Sequence, residues 1–174
     1  MAYFAHFPKI QFLNQTIVNL AVGFQLNNLI TDETYSYLNY DVKEGEKPDH
    51  VAYNYYGDSS YEWLVLQANE ILDPYFQWVL TVKEFEDFLK KKYGSLPIAQ
   101  ATTIHCEHKT KNITLSADSL AVSNGASASD YSAIDAYTYW DQVNENRRHI
   151  RLVNKIYLSE IDSQISSLLN PARD

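Results

Sequence analysis

The sequence predicts an α+β fold: a small strand–helix–helix core with an N-terminal arm, a short β hairpin and a long C-terminal helix. Three observations predict it. Side chains alternate as in a strand over residues 34–42, helix start and stop signals follow, and apolar residues recur at helical spacing over residues 135–169. With 45% hydrophobic residues among 174, the chain can bury one core of ordinary size.

Residues 1–33 are predicted to form the N-terminal arm. Lys9 is the one formally charged side chain among the first 30 residues, and large apolar side chains begin at Tyr3, Phe4 and Phe7. Such a segment either enters the chain's own core as a strand or helix, or becomes ordered against another chain. Both interpretations remain open on the sequence alone.

Residues 34–94 are predicted to form the central domain, a strand followed by helices. Each helix is marked by a proline or a capping box at its start and by glycine or asparagine at its end. The signals, in chain order, are Pro48 with Gly57, Ser59 and Glu62 with Asn69, and Thr81 and Glu84 with Gly94.

Residues 95–134 are predicted to hold a β hairpin and a loop. Two β-prone runs lie between Ile104 and Leu115, and residues 116–132 are rich in Ser, Ala, Asn and Gly, as surface loops are.

Residues 135–174 are predicted to form one long helix that needs a neighbour to cover its apolar stripe. On such a helix Arg147, Arg151 and Lys155 would form a basic ridge, which is either a solvated face or a docking ridge for an acidic partner.

Composition and charge exclude several classes of function. The net charge of the chain is −8, and the acidic residues concentrate in the middle of the sequence. This charge distribution argues against nucleic-acid binding. No apolar run is long enough to span a bilayer. Cys106 is the single cysteine, so no internal disulfide can form. The 14 tyrosines are the unusual feature, and tyrosine is enriched where protein surfaces meet.

No residue pattern indicates catalysis, a metal site or a cofactor. His105, Cys106, Glu107 and His108 are the densest set of metal-ligating residue types, but alternation along a strand lets two of them at most converge. No nucleophile, phosphate-loop or dinucleotide motif occurs, and no carboxylate pair stands out as the acid and base of a muramidase. The chain is therefore predicted not to be an enzyme.

The segment 40–73 carries the sequence signals of a known module. Residues 40–45 fit the pattern Y-x-V-x-x-G, Val51-Ala52 lies in the first helix, Tyr56-Gly57 ends that helix, and Asn69 ends the second. The segment therefore resembles a LysM module, a family that folds as strand–helix–helix–strand and binds N-acetylglucosamine polymers.

Two departures from the LysM pattern alter its sugar groove. Four residues separate Ala52 from Gly57, one more than is usual in the family. The closing strand of the module is expected to be missing, because residues 73–78 stand in its place.

A wider pattern extends over about three-quarters of the chain. Its order resembles the LysM-like wedge subunit of contractile-tail bacteriophage baseplates of the T-even type. The matching residues are Tyr3-Phe4 and Phe7-Pro8, Gly45, Pro48, Ala52, Tyr56-Gly57, Tyr61, Trp63, Asn69, Asp73-Pro74-Tyr75, Trp78, residues 133–137, Asn144-Glu145-Asn146, Arg148 and Ile150.

That resemblance implies a structural subunit that clamps neighbouring wedges in the virion tail baseplate and is assembled in the cytoplasm of the host bacterium. It implies six copies per baseplate, and as partners a wedge core-bundle protein and a protein like the sheath initiator. It implies no cofactor. The alternative is a LysM-type peptidoglycan-binding protein.

Two groups of residues are singled out by this reading. Tyr56 and Trp63 are expected in the core. The candidate interface residues are Tyr3, Phe4, Phe7, Asp73, Pro74, Tyr75, Trp78, Arg147, Arg148 and Arg151.

Overall fold

The computed structural model describes residues 7–19, 36–122 and 130–169, apart from the side chains of residues 120–122 and 166–168. These residues form two compact units: unit 1 lies within Met1–Trp78 and His149–Asp174, and unit 2 within Val79–Arg148. Helices combine with small antiparallel sheets, which confirms the predicted α+β class. The unit boundaries differ from the predicted domain boundaries after residues 33, 94 and 134, because unit 1 uses two separate stretches of chain.

The described helices and strands are numbered here in chain order; 3₁₀ turns at Ser59–Tyr61 and Lys155–Tyr157 precede α2 and α8. The elements are β1 (Lys9–Phe12), β2 (Gln15–Val18), β3 (Tyr37–Asp41), α1 (Pro48–Tyr56), α2 (Glu62–Ala68), α3 (Pro74–Gln77), α4 (Val82–Tyr93), α5 (Leu96–Ala101), β4 (Thr103–His108), β5 (Thr114–Ser116), α6 (Ala117–Val122), β6 (Tyr131–Asp135), α7 (Ala136–Asn146), β7 (His149–Val153) and α8 (Leu158–Leu169).

Unit 1 is built on the antiparallel pairing of β3 with β7, in which Tyr37 lies opposite Val153 and Asp41 opposite His149. Helices α1 and α2 and the single turn α3 lie between these strands within unit 1, and unit 2 is inserted before β7. Residues 73–78 form α3 and no strand, as expected for the segment that replaces a closing strand. The strand that pairs with β3 is β7, which follows unit 2 in the chain.

The core of unit 1 gathers residues from α2, β7 and α8. Leu64, Ala68, Val153 and Ile161 are almost fully buried there, and Tyr56 and Trp63 pack against them as expected. Burying a side chain such as Leu64 contributes about 2 kcal/mol. The apolar residues of the C-terminal segment are thus largely covered within their own chain.

Asn69, directly after α2, closes the outer edge of β7. Its amide nitrogen donates to the carbonyl oxygen of Arg151 at 2.8 Å, and its Oδ1 accepts from the Arg151 backbone nitrogen at 2.8 Å. The Tyr56 hydroxyl donates to the carbonyl oxygen of Val153 at 3.1 Å. These bonds satisfy backbone groups that β7 presents on the side away from β3.

The start signals of unit 1 are confirmed for α1 and shifted for α2. Pro48 is the first residue of α1, and Gly57 ends the helix with a φ of +88°, a left-handed conformation that glycine adopts at little cost. The predicted cap at Ser59 is wrong for α2: Asp58 caps the 3₁₀ turn Ser59–Tyr61, and α2 begins only at Glu62 without a side-chain cap.

The predicted N-terminal arm contains the hairpin β1–β2. Lys9 lies opposite Val18 and Phe12 opposite Gln15, which leaves Leu13 and Asn14 as a two-residue turn. Both turn residues have a positive φ, 48° and 62°, as a type I′ hairpin turn requires. Every residue of the two strands is exposed.

Unit 2 packs the helices α4, α5, α6 and α7 with a three-stranded sheet of order β5-β4-β6. Thr81 and Glu84 form the predicted capping box at the start of α4, and Gly94 ends that helix as predicted. The core residues come from α4, α5 and α7, and they are Phe85, Leu89, Ala99 and Ala136. The predicted hairpin is present as β4 and β5.

The segment 116–132, predicted as a loop, contains α6 and the first residues of β6. Strand β6 places Ser132 opposite Glu107 and Tyr131 opposite His108 on β4. Small and polar residues of the segment 116–132 are typical of loops. Pairing with β4, and not local preference, therefore makes the end of this segment a strand.

The single helix predicted for residues 135–174 is wrong. Helix α7 ends at Asn146, β7 follows, and α8 begins at Leu158. Asn144 turns its side chain to the backbone of Leu80, with Oδ1 accepting at 2.8 Å and Nδ2 donating at 3.1 Å. A spacing of three or four between apolar residues does not distinguish one long helix from a helix, a strand and a second helix in succession. The predicted ridge of Arg147, Arg151 and Lys155 therefore does not exist.

None of the described helices combines the length and the apolar character that a bilayer crossing requires.

We expect Asn69→Ala to lower the free energy of unfolding by about 2 kcal/mol, because the backbone groups of Arg151 lose their partners. Urea denaturation followed by tryptophan fluorescence measures this change. Asn112→Ala is the matched control, since this asparagine is exposed, and we expect a change within about 0.5 kcal/mol. Equal effects of the two substitutions would contradict the assigned role of Asn69.

Candidate protein-contact surface

The structure separates the candidate interface residues into exposed and buried ones. Tyr3 and Phe4 lie outside the described residues. Phe7 is buried with Ile165 and Leu169 of its own unit, so its expected contact with another chain is wrong. Three candidates come together in one exposed turn, and they are Asp73, Pro74 and Tyr75.

That turn, residues 70–78, is called the aromatic turn here. It presents three large apolar side chains to solvent: Leu72 is 91% exposed, Tyr75 81% and Phe76 68%. The rings of Tyr75 and Phe76 meet edge to face, with centroids 4.9 Å apart. Isolated apolar residues are common on surfaces, but three within five residues of one turn form a continuous apolar feature.

The aromatic turn is held in place by its own polar groups. Oε1 of Gln77 accepts from the backbone nitrogens of Leu72 and Asp73, at 2.9 and 2.8 Å. Oδ1 of Asp73 accepts from the backbone nitrogen of Tyr75 at 3.0 Å and so caps the single turn α3. The one charged side chain between Ile71 and Trp78 is thus used inside the turn, and the exposed apolar residues are held in a defined arrangement.

Trp78 anchors the turn to unit 1. It is only 4% exposed, and its indole Nε1 donates to the carbonyl oxygen of Glu46 at 2.8 Å. The expectation that Trp78 faces a partner is therefore wrong. The indole ring is buried because it fastens the end of the turn, while its neighbour Phe76 takes the exposed position.

The carboxylate of Glu46 organises the loop to which Trp78 is fastened. It accepts from the Tyr40 hydroxyl at 2.9 Å, from the backbone nitrogen of Lys43 at 3.0 Å and from Nδ2 of Asn54 at 2.8 Å. Burial acts to raise the pKa of Glu46, but these hydrogen bonds and the charge of Lys43 outweigh it, so the pKa lies below its ordinary value of 4.5. Burial, together with the Glu46 carboxylate, raises the pKa of Tyr40 to about 12.

An open cleft of about 580 Å³ lies beside this loop. It is lined by polar and charged residues together with Tyr53, among them Lys43, Asp49 and His50. The buried Glu46 carboxylate at its wall is already saturated with hydrogen bonds.

The four residues 105–108 of β4 do not gather around one point. Nε2 of His105 lies 3.0 Å from Oε1 of Glu107, Cys106 is buried, and the His108 ring packs edge to face with Tyr131. Nowhere in the described ranges do three metal-ligating side chains converge.

The three candidate arginines have different environments. The guanidinium of Arg151 donates to the carbonyl oxygen of Ala68 at 2.7 Å and lies over the Tyr37 ring, so Arg151 is part of the unit 1 framework. Nε of Arg148 pairs with the carboxylate of Glu145 at 3.0 Å. Arg147 is half-buried, and its side chain has no hydrogen bond or ion pair within the described part of the chain. Burial lowers its pKa, and the guanidinium remains charged.

Sequence reasoning missed Leu72 and Phe76, the most exposed and third most exposed apolar residues of the turn. Asp73 followed by Pro74 indicates a short helix start, but this signal does not say which of the following side chains turn outward. The direction depends on Trp78 and Glu46, which are far apart in sequence.

Comparison with known proteins supplies a family. The sequence profile of a family described as base plate wedge protein 53 matches residues 2–114, well over half of the chain. The matched region includes β3, α1, α2 and the aromatic turn, and it ends before Arg147. A comparison with curated proteins gives no match.

We expect Glu46→Gln to lower the free energy of unfolding at pH 7 by about 2 kcal/mol, because the hydrogen bonds that the buried Glu46 carboxylate accepts lose their charge assistance. Since the pKa of Glu46 is lower in the folded state, its ionisation stabilises the fold above about pH 4.5, and this contribution is lost as the pH falls through the folded pKa.

Thermal unfolding of both proteins between pH 7 and 3 measures the effect, and the difference between them should shrink below pH 4.5. Glu70→Gln is the control, because Glu70 is exposed, and it should unfold like the parent at every pH. A constant difference down to pH 3 would show that the Glu46 carboxylate is not the stabilising species.

Proposed function

The chain belongs to the base plate wedge protein 53 family, and we propose that it clamps neighbouring wedges together through the aromatic turn. Membership makes it a structural protein of the phage virion, located in the tail baseplate. The observation that carries the finer proposal is the exposed, internally fastened set of Leu72, Tyr75 and Phe76.

The form of the aromatic turn fits a contact with another protein. Aromatic side chains provide much of the binding energy in interfaces, and they do so best when they are held in position before the partner arrives. Gln77 and Asp73 hold this turn in place without using any atom of its exposed side chains. We therefore expect an apolar pocket on a wedge partner to receive Tyr75 and Phe76.

Arg147 is proposed as a second contact. Among the described residues no carboxylate pairs with this half-buried guanidinium, which is costly, and an acidic residue of another chain would supply the partner. This reduces the predicted basic ridge to a single residue. Arg148 and Arg151 already have partners within their own chain.

The finer assignments rest on the family resemblance together with the fold. The strand–helix–helix–strand order of β3, α1, α2 and β7 supports a LysM-like unit in which protein contacts replace sugar binding. We propose the wedge core-bundle protein and the sheath-initiator-like protein of a contractile tail as partners, six copies per baseplate, and assembly in the cytoplasm of the host bacterium. Peptidoglycan binding remains the alternative, and membership of a baseplate family does not favour it.

The aromatic turn is tested by substituting Tyr75→Ala and Phe76→Ala together. We expect binding to the co-expressed wedge proteins of the same phage to weaken at least 30-fold, because truncating a central aromatic residue costs about 2 kcal/mol. The unfolding temperature should stay unchanged, since both side chains are exposed. Co-purification and titration by calorimetry measure the two effects.

Tyr53→Ala is the matched control, because Tyr53 is 64% exposed on α1, outside the turn. It should bind like the parent. Equal binding by the double variant and the parent would remove the turn from the interface. Sedimentation of the parent with insoluble peptidoglycan would instead support the alternative function.

The arginines give a second prediction. We expect Arg147→Glu to weaken binding to wedge proteins about tenfold while the fold is unaffected, and Arg148→Glu to have a smaller effect because Arg148 is paired with Glu145. Arg151→Glu should lower the unfolding temperature, because its guanidinium bonds to Ala68. Binding assays alongside thermal unfolding separate these outcomes. Unchanged binding by Arg147→Glu would exclude its role as a contact.

A further inference from the structure

Among the residues that the structure describes, the sheet formed by β3 and β7 has one edge that no other strand covers. On β7, the Asn69 amide takes up both backbone groups of Arg151 on the side away from β3. Arg151 and its partner Asn39 therefore form a pair without mutual hydrogen bonds, and the backbone groups of Asn39 point away from β7. By the same alternation, Tyr37 and Asp41 also face outward. Within the described ranges no strand pairs with this side of β3.

The hairpin β1–β2 likewise has an outer edge on β1 that no described strand covers. The backbone nitrogen of Asn19 donates to the carbonyl oxygen of Pro8 at 2.8 Å, so this pair is hydrogen-bonded and the next pair, Lys9 with Val18, is not. The backbone groups of Lys9 and Gln11 therefore point outward from β1. A two-stranded hairpin with all of its strand residues exposed is marginally stable alone in water.

The two edges match when β1 is laid antiparallel to β3. In this arrangement the residues whose backbone groups point outward lie opposite one another. Each of the four residue pairs joins side chains of similar polarity or of opposite charge. The pairs are Lys9 with Asp41, Ile10 with Tyr40, Gln11 with Asn39 and Phe12 with Leu38.

Both strands carry an exposed apolar side chain at the matching end, Leu38 on β3 and Phe12 on β1. Leu38 lies opposite the fully buried Leu152, yet Leu38 itself is 49% exposed at the sheet edge. Phe12 is 58% exposed on the hairpin. Pairing β1 with β3 would place Phe12 beside Leu38 and so extend the apolar face that Leu152 begins.

Charge supports the same register. Lys9 is the one cation of the hairpin, and Asp41 is an exposed carboxylate at the matching end of β3, where it also lies 2.6 Å from Nδ1 of His149. Directly opposed charges of opposite sign favour a strand pair, whereas like charges disfavour it.

We propose that strand β1 of one copy of this chain adds antiparallel to the free edge of β3 in a second copy, with Lys9 opposite Asp41 and Phe12 opposite Leu38. Within a single chain the two strands belong to separate sheets, so the second copy supplies the missing strand. Because donor and acceptor are different surfaces, successive copies can join head to tail and close into a ring. The contact goes beyond the proposed function, since no other wedge protein takes part in it.

Disulfide cross-linking of the purified full chain tests the register. Gln11→Cys and Asn39→Cys are made in separate proteins, mixed at high concentration and oxidised. A hydrogen-bonded antiparallel pair brings the two Cα atoms to about 5.5 Å, a separation that a disulfide spans. We expect a dimer containing both variants, at least tenfold more abundant than with the control mixture of Gln11→Cys and Asn112→Cys. The parent, whose Cys106 is buried, should not cross-link.

Two results would overturn the proposal. One is a mixture that gives no more mixed dimer than the control. The other is a monomer with an internal disulfide as the main product of a chain carrying both Gln11→Cys and Asn39→Cys, since the hairpin would then pair with its own β3.

Charge reversal tests the contact without cysteines. Lys9→Glu and Asp41→Lys should each weaken self-association about tenfold in analytical ultracentrifugation, and a mixture of the two variants should recover it. Unfolding temperatures should stay near that of the parent, because both side chains are exposed. Parent-like association of both single variants, or no recovery in the mixture, would contradict the register.

These experiments are independent of the aromatic turn. The chain with Tyr75→Ala and Phe76→Ala should self-associate like the parent even though it loses binding to other wedge proteins. Conversely, Lys9→Glu should keep that binding, so the failure of one proposal is distinguishable from the failure of the other.

Discussion

The pairing of β3 with β7 is the interaction on which unit 1 depends. It joins strands separated by three helices of unit 1 and the whole of unit 2, and it places Val153 in the core beside Leu64 and Ala68. Asn69 seals the far edge of β7, and α8 packs Ile161 into the same core. The aromatic turn depends on this frame as well, because Trp78 fastens it to the loop that Glu46 organises directly after β3.

Local signals in the sequence predicted the local structure. Pro48, Gly57, Thr81 and Gly94 mark helix ends where the structure has them, because capping depends on residues only a few positions apart. Strand β7 was not predictable in this way. Its partner lies across the length of unit 2, and its apolar residues fit the helical spacing of the segments on both sides. Strand β6 was hidden for the same reason, since only its pairing with β4 distinguishes it from a loop.

The contact surface was predictable in place but not in detail. Asp73 and Pro74 locate the turn in the sequence. That Trp78 is buried while Phe76 is exposed depends on the hydrogen bond from Trp78 to the carbonyl oxygen of Glu46. The tyrosine excess also has a second meaning. Tyr40, Tyr56 and Tyr61 use their hydroxyls to bond Glu46, Val153 and Asp162 inside unit 1. Much of that excess therefore serves the packing of the chain itself, and a smaller share, with Tyr75 foremost, is available to partners.

The insertion of unit 2 into unit 1 has a consequence for synthesis on the ribosome. The strand that completes unit 1 emerges only after all of unit 2 has been translated, whereas unit 2 is continuous and can fold as soon as it is released. Its folding brings Asn144 to the backbone of Leu80 and so draws together the two points where the chain enters and leaves the insert. Folding of unit 2 therefore closes the long loop, with its loss of chain entropy, before β7 pairs with β3. Unit 1, whose first stretch is synthesised first, is the last to be completed.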